Sequence, residues 1–238
     1  MRLAVLLLLI CSMANAQETN VEFLGNAYDL NTGELIYQEV HLLTLSEDHK
    51  PIRELVTYVS ADGTTLGQKE LDYQSLLAPN YTVNYRQGNK QESVTISGDF
   101  IDVSARKIKS LPSPTDLYAI DAGFHYLILD QFDTLMSGNT VFFDFLSAGR
   151  ASFFEMKIKP EKSGNRLFLE LSLSNFFLST LVNSIELVYD IDSRQLLQYK
   201  GITNIADSKG RLVTADIQYS YPTNMHFPKL ANNDTFDQ

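Results

Sequence analysis

One cysteine, Cys11, and no tryptophan occur in 238 residues, and each scarcity removes a class of chemistry. Cys11 falls in a segment expected to be cleaved off, so the mature chain has no thiol. Disulfides, zinc–thiolate sites and cysteine nucleophiles are thereby excluded. Without tryptophan the chain lacks the broad platforms that sugar clefts favour, although 12 Tyr and 14 Phe can substitute. Basic residues are also few, 19 against 29 acidic ones, for a net charge of −10. An acidic surface repels phosphate backbones and anionic head groups, so nucleic acid is not expected as a partner. The acidic residues are dispersed, which fits solubility better than an interaction tail.

Motifs that carry chemistry are missing as well. The 12 glycines are scattered, with no G-x-G-x-x-G and no P-loop to cradle a phosphate. No G-x-S-x-G elbow occurs, and Ser147-Ala148-Gly149 and Ser97-Gly98 read as turns. The four histidines, His41, His49, His125 and His226, show neither close spacing nor an H-E-x-x-H pattern. No metal and no cofactor are expected. His41 reads as part of a strand of mixed alternation, His49 as a polar turn and His125 as a helix-terminal residue.

What is present begins with an address. Arg2, the apolar run Leu3–Ile10 and the small residues Ala14 and Ala16 compose a secretory signal cleaved between Ala16 and Gln17. The run is too short to span a bilayer, and no second long apolar run follows it. The bulky Ile10 before Cys11 argues against a lipid-attachment site. The expectation is a periplasmic or secreted protein with no transmembrane segment in its mature chain. Removing 16 of 238 residues leaves 222, enough to bury a core as a single domain over 17–222, with a frayed tail over 223–238.

Period-two alternation dominates that domain. In RLFLELSLS, Leu167, Leu169, Leu171 and Leu173 share one face while Arg166, Glu170, Ser172 and Ser174 share the other, interrupted only by Phe168. In LVTADIQYS, Val213, Ala215, Ile217 and Tyr219 alternate with Thr214, Asp216, Gln218 and Ser220. One wet face per strand marks antiparallel sheet and argues against a doubly covered α/β enzyme fold. Turn signals such as Asn31-Thr32-Gly33 and Ser163-Gly164-Asn165 punctuate the runs at hairpin intervals. About seven strands are expected between Phe23 and Lys107, and about six between Thr140 and Tyr221.

The centre differs. After Pro112 and Pro114, Asp121 is placed to cap a helix over 122–136 with Gly138 as its stop. Phe124, Leu127, Ile128, Gln131 and Leu135 would share its inner face, with Phe132 beside them and Asp130, Asp133 and Thr134 toward water. The apolar stretch Asn175–Val182 reads as a second short helix lying as a lid over the sheet's open end, or, by its length, as a further strand. Tyr28-Asp29-Leu30-Asn31-Thr32 and Tyr189-Asp190-Ile191-Asp192-Ser193 echo each other as hairpin entries, which suggests that both halves belong to one sheet.

Candidate site residues are few. Arg150 ends the apolar strand FFDFLSAGR and could meet Asp144 or Asp190, giving a planar fork for an anionic ligand beside two carboxylates. A carboxylate pair among Asp144, Glu155 and Glu186 would suit glycoside hydrolysis. Alternation with Phe143, Phe145, Phe154, Met156, Ile185 and Leu187 instead reads all three as solvated outer-face residues.

Several segments together resemble an uncharacterised family of exported proteobacterial proteins. They are Val59-Ser60-Ala61-Asp62-Gly63 with Gln68-Lys69-Glu70-Leu71-Asp72-Tyr73, Asp121-Ala122-Gly123-Phe124, Phe143-Asp144-Phe145-Leu146 with Arg150, and IELVYD with the run from Leu196 to Ile205. The resemblance implies a periplasmic β-rich domain of unknown function and carries over no catalytic residue.

The expected fold is mainly β: a long curved antiparallel sheet or open barrel with one central helix packed against it. The expected role is a non-catalytic binding or envelope-assembly protein with an apolar concave face. Its partner would be an apolar or amphipathic small molecule such as a lipid, or an envelope protein. A carboxylate-pair hydrolase acting on envelope glycans is the competing reading.

Overall fold

The computed structural model describes residues 18–86, 90–175, 184–207, 209–223, 225 and 227. The expected signal segment, residues 176–182 of the expected second helix and most of the expected tail lie outside them.

The first half of the chain is a meander of β1 (Thr19–Asp29), β2 (Leu35–Leu45), β3 (Pro51–Ser60), β4 (Thr65–Asp72), β5 (Asn80–Tyr85), β6 (Lys90–Ser97), β7 (Phe100–Ser104) and β8 (Ile108–Pro112). A short strand β9 (Tyr118–Ile120) leads into α1 (Gly123–Asp130) and α2 (Phe132–Met136). The second half comprises β10 (Val141–Ser147), a 3-10 turn at Ala148–Arg150, β11 (Ser152–Ser163), β12 (Arg166–Leu173), β13 (Ile185–Asp190), β14 (Leu196–Ala206) and β15 (Leu212–Ser220). The strands form one sheet in the order β8 through β1, then β15 back to β9. The halves join where β1 pairs antiparallel with β15, Ala27 opposite Ile217. The expected duplicated hairpins lie in the two halves: Asp29 Oδ1 accepts from the amides of Asn31 and Thr32, and Asp190 Oδ1 from those of Asp192 and Ser193.

Seven strands between Phe23 and Lys107 and six between Thr140 and Tyr221 stand where alternation puts them. Leu167, Leu169, Leu171, Ala215 and Ile217 are buried on the concave face. Two strands were not expected. β8 carries Pro112 at the sheet's edge, where a missing N–H costs no ladder bond. The three-residue β9 pairs parallel with β10, the exception to an otherwise antiparallel ladder. The sheet does not close by hydrogen bonding, because β8 and β9 are its two ends. It curls until Lys109 Nζ, on edge strand β8, donates to the Ala151 carbonyl at 3.3 Å beside the 3-10 turn.

The expected single helix over 122–136 is two helices with a break at Gln131. Gln131 takes φ −88° and ψ 10°, and both of its neighbouring helices use it as a cap. Ala122, not Asp121, is the N-cap of α1 and makes no side-chain cap bond. Gly138 does end the segment, at φ 81°. Burial is wider than one face: Tyr126, Leu127, Ile128 and Leu129 are all buried, because α1 is wedged between the sheet and the β4–β5 connection. Tyr126 packs edge-on against Tyr73 with ring centroids 5.1 Å apart, and Phe132 packs against Tyr189 at 6.2 Å. The helices thus plug the end of the curl where β4 and β13 finish. Among the described residues no helix covers the opposite end, where β5, β10 and β14 finish.

Candidate functional site

The concave face is not uniformly apolar. In β2 the inward positions are Tyr37, Glu39, His41 and Leu43; in β3 they are Glu54, Val56 and Tyr58; in β4, Lys69 and Leu71. Glu39, His41, Glu54 and Lys69 are buried there, each no more than 9% exposed. A buried ionised side chain survives only with partners, and these have them.

His41 sits between two carboxylates. Its Nδ1 lies 2.7 Å from Glu54 Oε1 and its Nε2 3.3 Å from Glu39 Oε2. Tyr73 donates to Glu54 Oε2 at 2.6 Å, Tyr219 to Glu39 Oε2 at 3.0 Å and Tyr37 to Glu39 Oε1 at 3.3 Å. Phe23 stacks on the imidazole with centroids 4.3 Å apart. Burial opposes a charge on His41, but the hydrogen bonds and negative charges of Glu39 and Glu54 outweigh it and push its pKa up to about 9. Burial likewise works against the Glu54 carboxylate, yet His41 and Tyr73 hold it below the usual range. The cluster is thus an imidazole bracketed by two acidic side chains, an arrangement that favours the charged form of His41.

A second pair stands beside it. Lys69 Nζ donates to both Asp121 oxygens, at 2.7 and 2.8 Å. Asp121 has φ 47°, a left-handed conformation uncommon outside glycine that places its carboxylate opposite Lys69 across the curl. Burial would discharge Lys69, but the Asp121 charge beside it prevails and raises its pKa.

These groups form one wall of a cavity of about 280 Å³. The facing wall is apolar: Phe124, Phe143, Phe145, Met156, Leu171 and Ile185. Toward the end away from the helices the cavity adjoins a mouth of about 680 Å³, and Asp121, Phe145, Asn204 and Leu212 line both. The register of β14 against β15 shifts between Ile202 and Ala206, which loosens the ladder at this rim. Another hollow of about 560 Å³ lies over the convex side and is lined largely by outward residues such as Glu70, Asp72, Thr82 and Thr95.

The three residues expected to form a site are placed apart. Arg150 ends the 3-10 turn and lines the mouth, its guanidinium 5.5 Å from the Phe154 ring centre. Asp144 faces Glu155 across the β10–β11 ladder, and burial, then Glu155 and Asp116, raise its pKa. Asp190 closes the β13–β14 turn and pairs with Arg166. Among the described residues no ion pair joins Arg150 to either aspartate. Of the other carboxylates considered for hydrolysis, Glu155 accepts from Ser174 and Glu186 pairs with Lys200 at 3.3 Å.

Sequence reasoning missed the inner polar wall because polar residues in alternating strands were assigned to water. A signal was present: Tyr37, Glu39, His41 and Leu43 share one phase, and that phase is fixed by Tyr37 and Leu43. His125 stands in the first turn of α1, as expected of a helix-terminal residue, but is partly buried among Tyr126, Tyr189 and Phe227, with the Tyr189 hydroxyl 2.9 Å from Nδ1. Its Nε2 has no hydrogen-bond partner among the described residues, and burial pushes its pKa down to about 4. Also among the described residues, no group of three or more His, Cys, Asp or Glu is placed to hold a metal ion.

No protein-family model and no curated protein matches the chain. A solved structure to which it is similar is that of a β-barrel-like protein of a domain of unknown function, DUF1849, from Brucella abortus. The two share 9% identity over 87% of this chain and 98% of the other, with a TM-score of 0.41.

Proposed function

We propose that this is a non-catalytic binding protein of the periplasm, which takes an apolar or amphipathic small molecule into the hollow of its curled sheet. The observation that carries the reading is the 280 Å³ cavity with one apolar and one polar wall, which among the described residues adjoins a mouth at the end of the sheet away from the helices. Ligand sites are concave and mostly apolar, with a few convergent polar groups, and this cavity has that composition. The helices close the other end, so entry is through the mouth.

The non-catalytic part rests on the polar wall. A general acid or base must be within reach of substrate, and a nucleophile must be backed by a base. Here His41 spends both ring nitrogens on Glu39 and Glu54, and Lys69 spends its charge on Asp121. Polar groups bonded to one another fix the shape of a wall. They are poorly placed to attack a substrate.

The test is native mass spectrometry of the exported protein, followed by solvent extraction of whatever it carries. Adducts of one defined mass class, released on unfolding, support the reading. A protein that carries no adduct and takes up no added amphiphile refutes it.

A further inference from the structure

We infer that the molecule held in this cavity is a single-chain amphiphile with an anionic head, its tail against the inner apolar wall and its head at the mouth beside Arg106 and Arg150. This rests on the binding reading above and adds the ligand's charge, polarity and orientation.

Charge is the first ground. Arg53, Arg166, Arg194 and Arg211 pair with Glu18, Asp190, Asp133 and Asp207. Arg86, Arg106 and Arg150 have no ion-pair partner among the described residues, and of these Arg106 and Arg150 line the mouth. In a chain with 29 acidic and 19 basic residues, two unneutralised guanidinium groups at one opening stand against the prevailing sign. Of the acidic residues of the mouth, Asp121 is held by Lys69, and Glu92, which accepts from the uncharged Tyr81 hydroxyl at 2.7 Å, stands as one acidic side chain against the two guanidinium groups. The net charge of −10 keeps the chain off anionic surfaces. A single anion within hydrogen-bond reach of two guanidinium groups is a separate, short-range matter.

Orientation follows from the inner wall. On the inner wall two acidic side chains, Glu39 and Glu54, bracket the single imidazole of His41 and take both of its nitrogens, so an anion entering head-first would meet two acceptor groups and no free donor of His41. The tail therefore leads. Its path is marked by Ile202 and Leu212, 47% and 53% exposed at the rim, then Phe145, Phe143 and Met156 inside. Size sets the number of tails: about 280 Å³ lies at the low end of ligand cavities, which suits one chain better than two.

The experiment is titration calorimetry with four probes of one tail length, all below their micelle concentrations: dodecanoate, dodecyl phosphate, dodecanol and dodecyltrimethylammonium. The wild-type chain is compared with Arg150→Leu, Arg106→Gln and the double variant, with melting temperature as the control for folding. At least one anion is expected to bind about tenfold or more tighter than dodecanol, as charge-assisted hydrogen bonds do. The double variant should bring it to the dodecanol level without a change in melting. Preference for dodecanoate would identify a fatty-acid-like head, and preference for dodecyl phosphate a phosphoryl head. Dodecanol binding as tightly as both anions, the cation binding tightest, or an anion preference surviving in the double variant would overturn the head-group inference and leave the binding reading standing. Should Arg150→Leu fail to fold, Arg106→Gln and the four-probe ranking on wild type decide alone. Failure of all four probes to bind overturns the binding reading itself.

Discussion

His41 and Lys69 show how a few residues set the character of a whole wall. Replacing Lys69 by Met leaves the Asp121 carboxylate half-buried without its cation, and breaking a buried pair from one side costs about 3–5 kcal/mol. In urea melts Lys69→Met should lose about that much, and adding Asp121→Asn should recover part of it, since the two substitutions share one interaction. The histidines give the fold opposite pH limits. His41 is raised from 6.5 to about 9, so the stability it lends is fully present below 6.5 and is lost as pH climbs through about 9. His125 is lowered from 6.5 to about 4, so stability is fully present above 6.5 and is lost as pH falls toward about 4. The melting temperature should therefore peak near the shared reference value of 6.5 and fall on both sides. His125→Phe should flatten the upper part of the acid limb and leave the alkaline limb in place. A profile still rising at pH 9 would contradict the assignment for His41. These residues were the least legible in the sequence, because alternation reports that a side chain is polar and not which face its neighbours impose on it.

Among the elements, legibility tracked the cleanness of the pattern. β12 and β15 were readable in position and inward phase because apolar side chains hold one phase for a whole strand, although Ser172, expected on the wet face of β12, is buried. β9, at three residues, is below the length at which a period can be seen, and its pairing with β10 is set by the chain's passage over the β4–β5 connection. The helix was legible in position but not in its break, since Gln131 carries no breaker chemistry. Close approach decides the seat of α1: a Cβ on Gly123 would lie 1.9 Å from the Leu77 carbonyl oxygen. Gly123→Ala must push the helix off residues 77–79, at about 1–3 kcal/mol for overpacking. For a chain of this size that is a drop in melting temperature of about 2–4 °C per kcal/mol. Gly149→Ala is the matched control, because nothing lies within 4 Å of the added atom, and its melting should be unchanged.

As a whole the described chain is one sheet rolled on itself without a closing ladder, plugged at one end by two short helices, with no helix among the described residues over the other. The alternating pattern foretold the roll; the two-sided lining of its hollow emerged only once β2, β3 and β4 were set opposite β10 and β11. The central claim is that this hollow accepts a ligand. Uptake of an apolar fluorescent probe by the wild-type chain, compared with Met156→Trp, tests it most directly. Met156 stands on the apolar wall and is only partly buried, so the larger ring can occupy the cavity. The account predicts saturable probe uptake that Met156→Trp abolishes with melting retained. Probe uptake unchanged in a folded Met156→Trp variant, or none in the wild type, would contradict it.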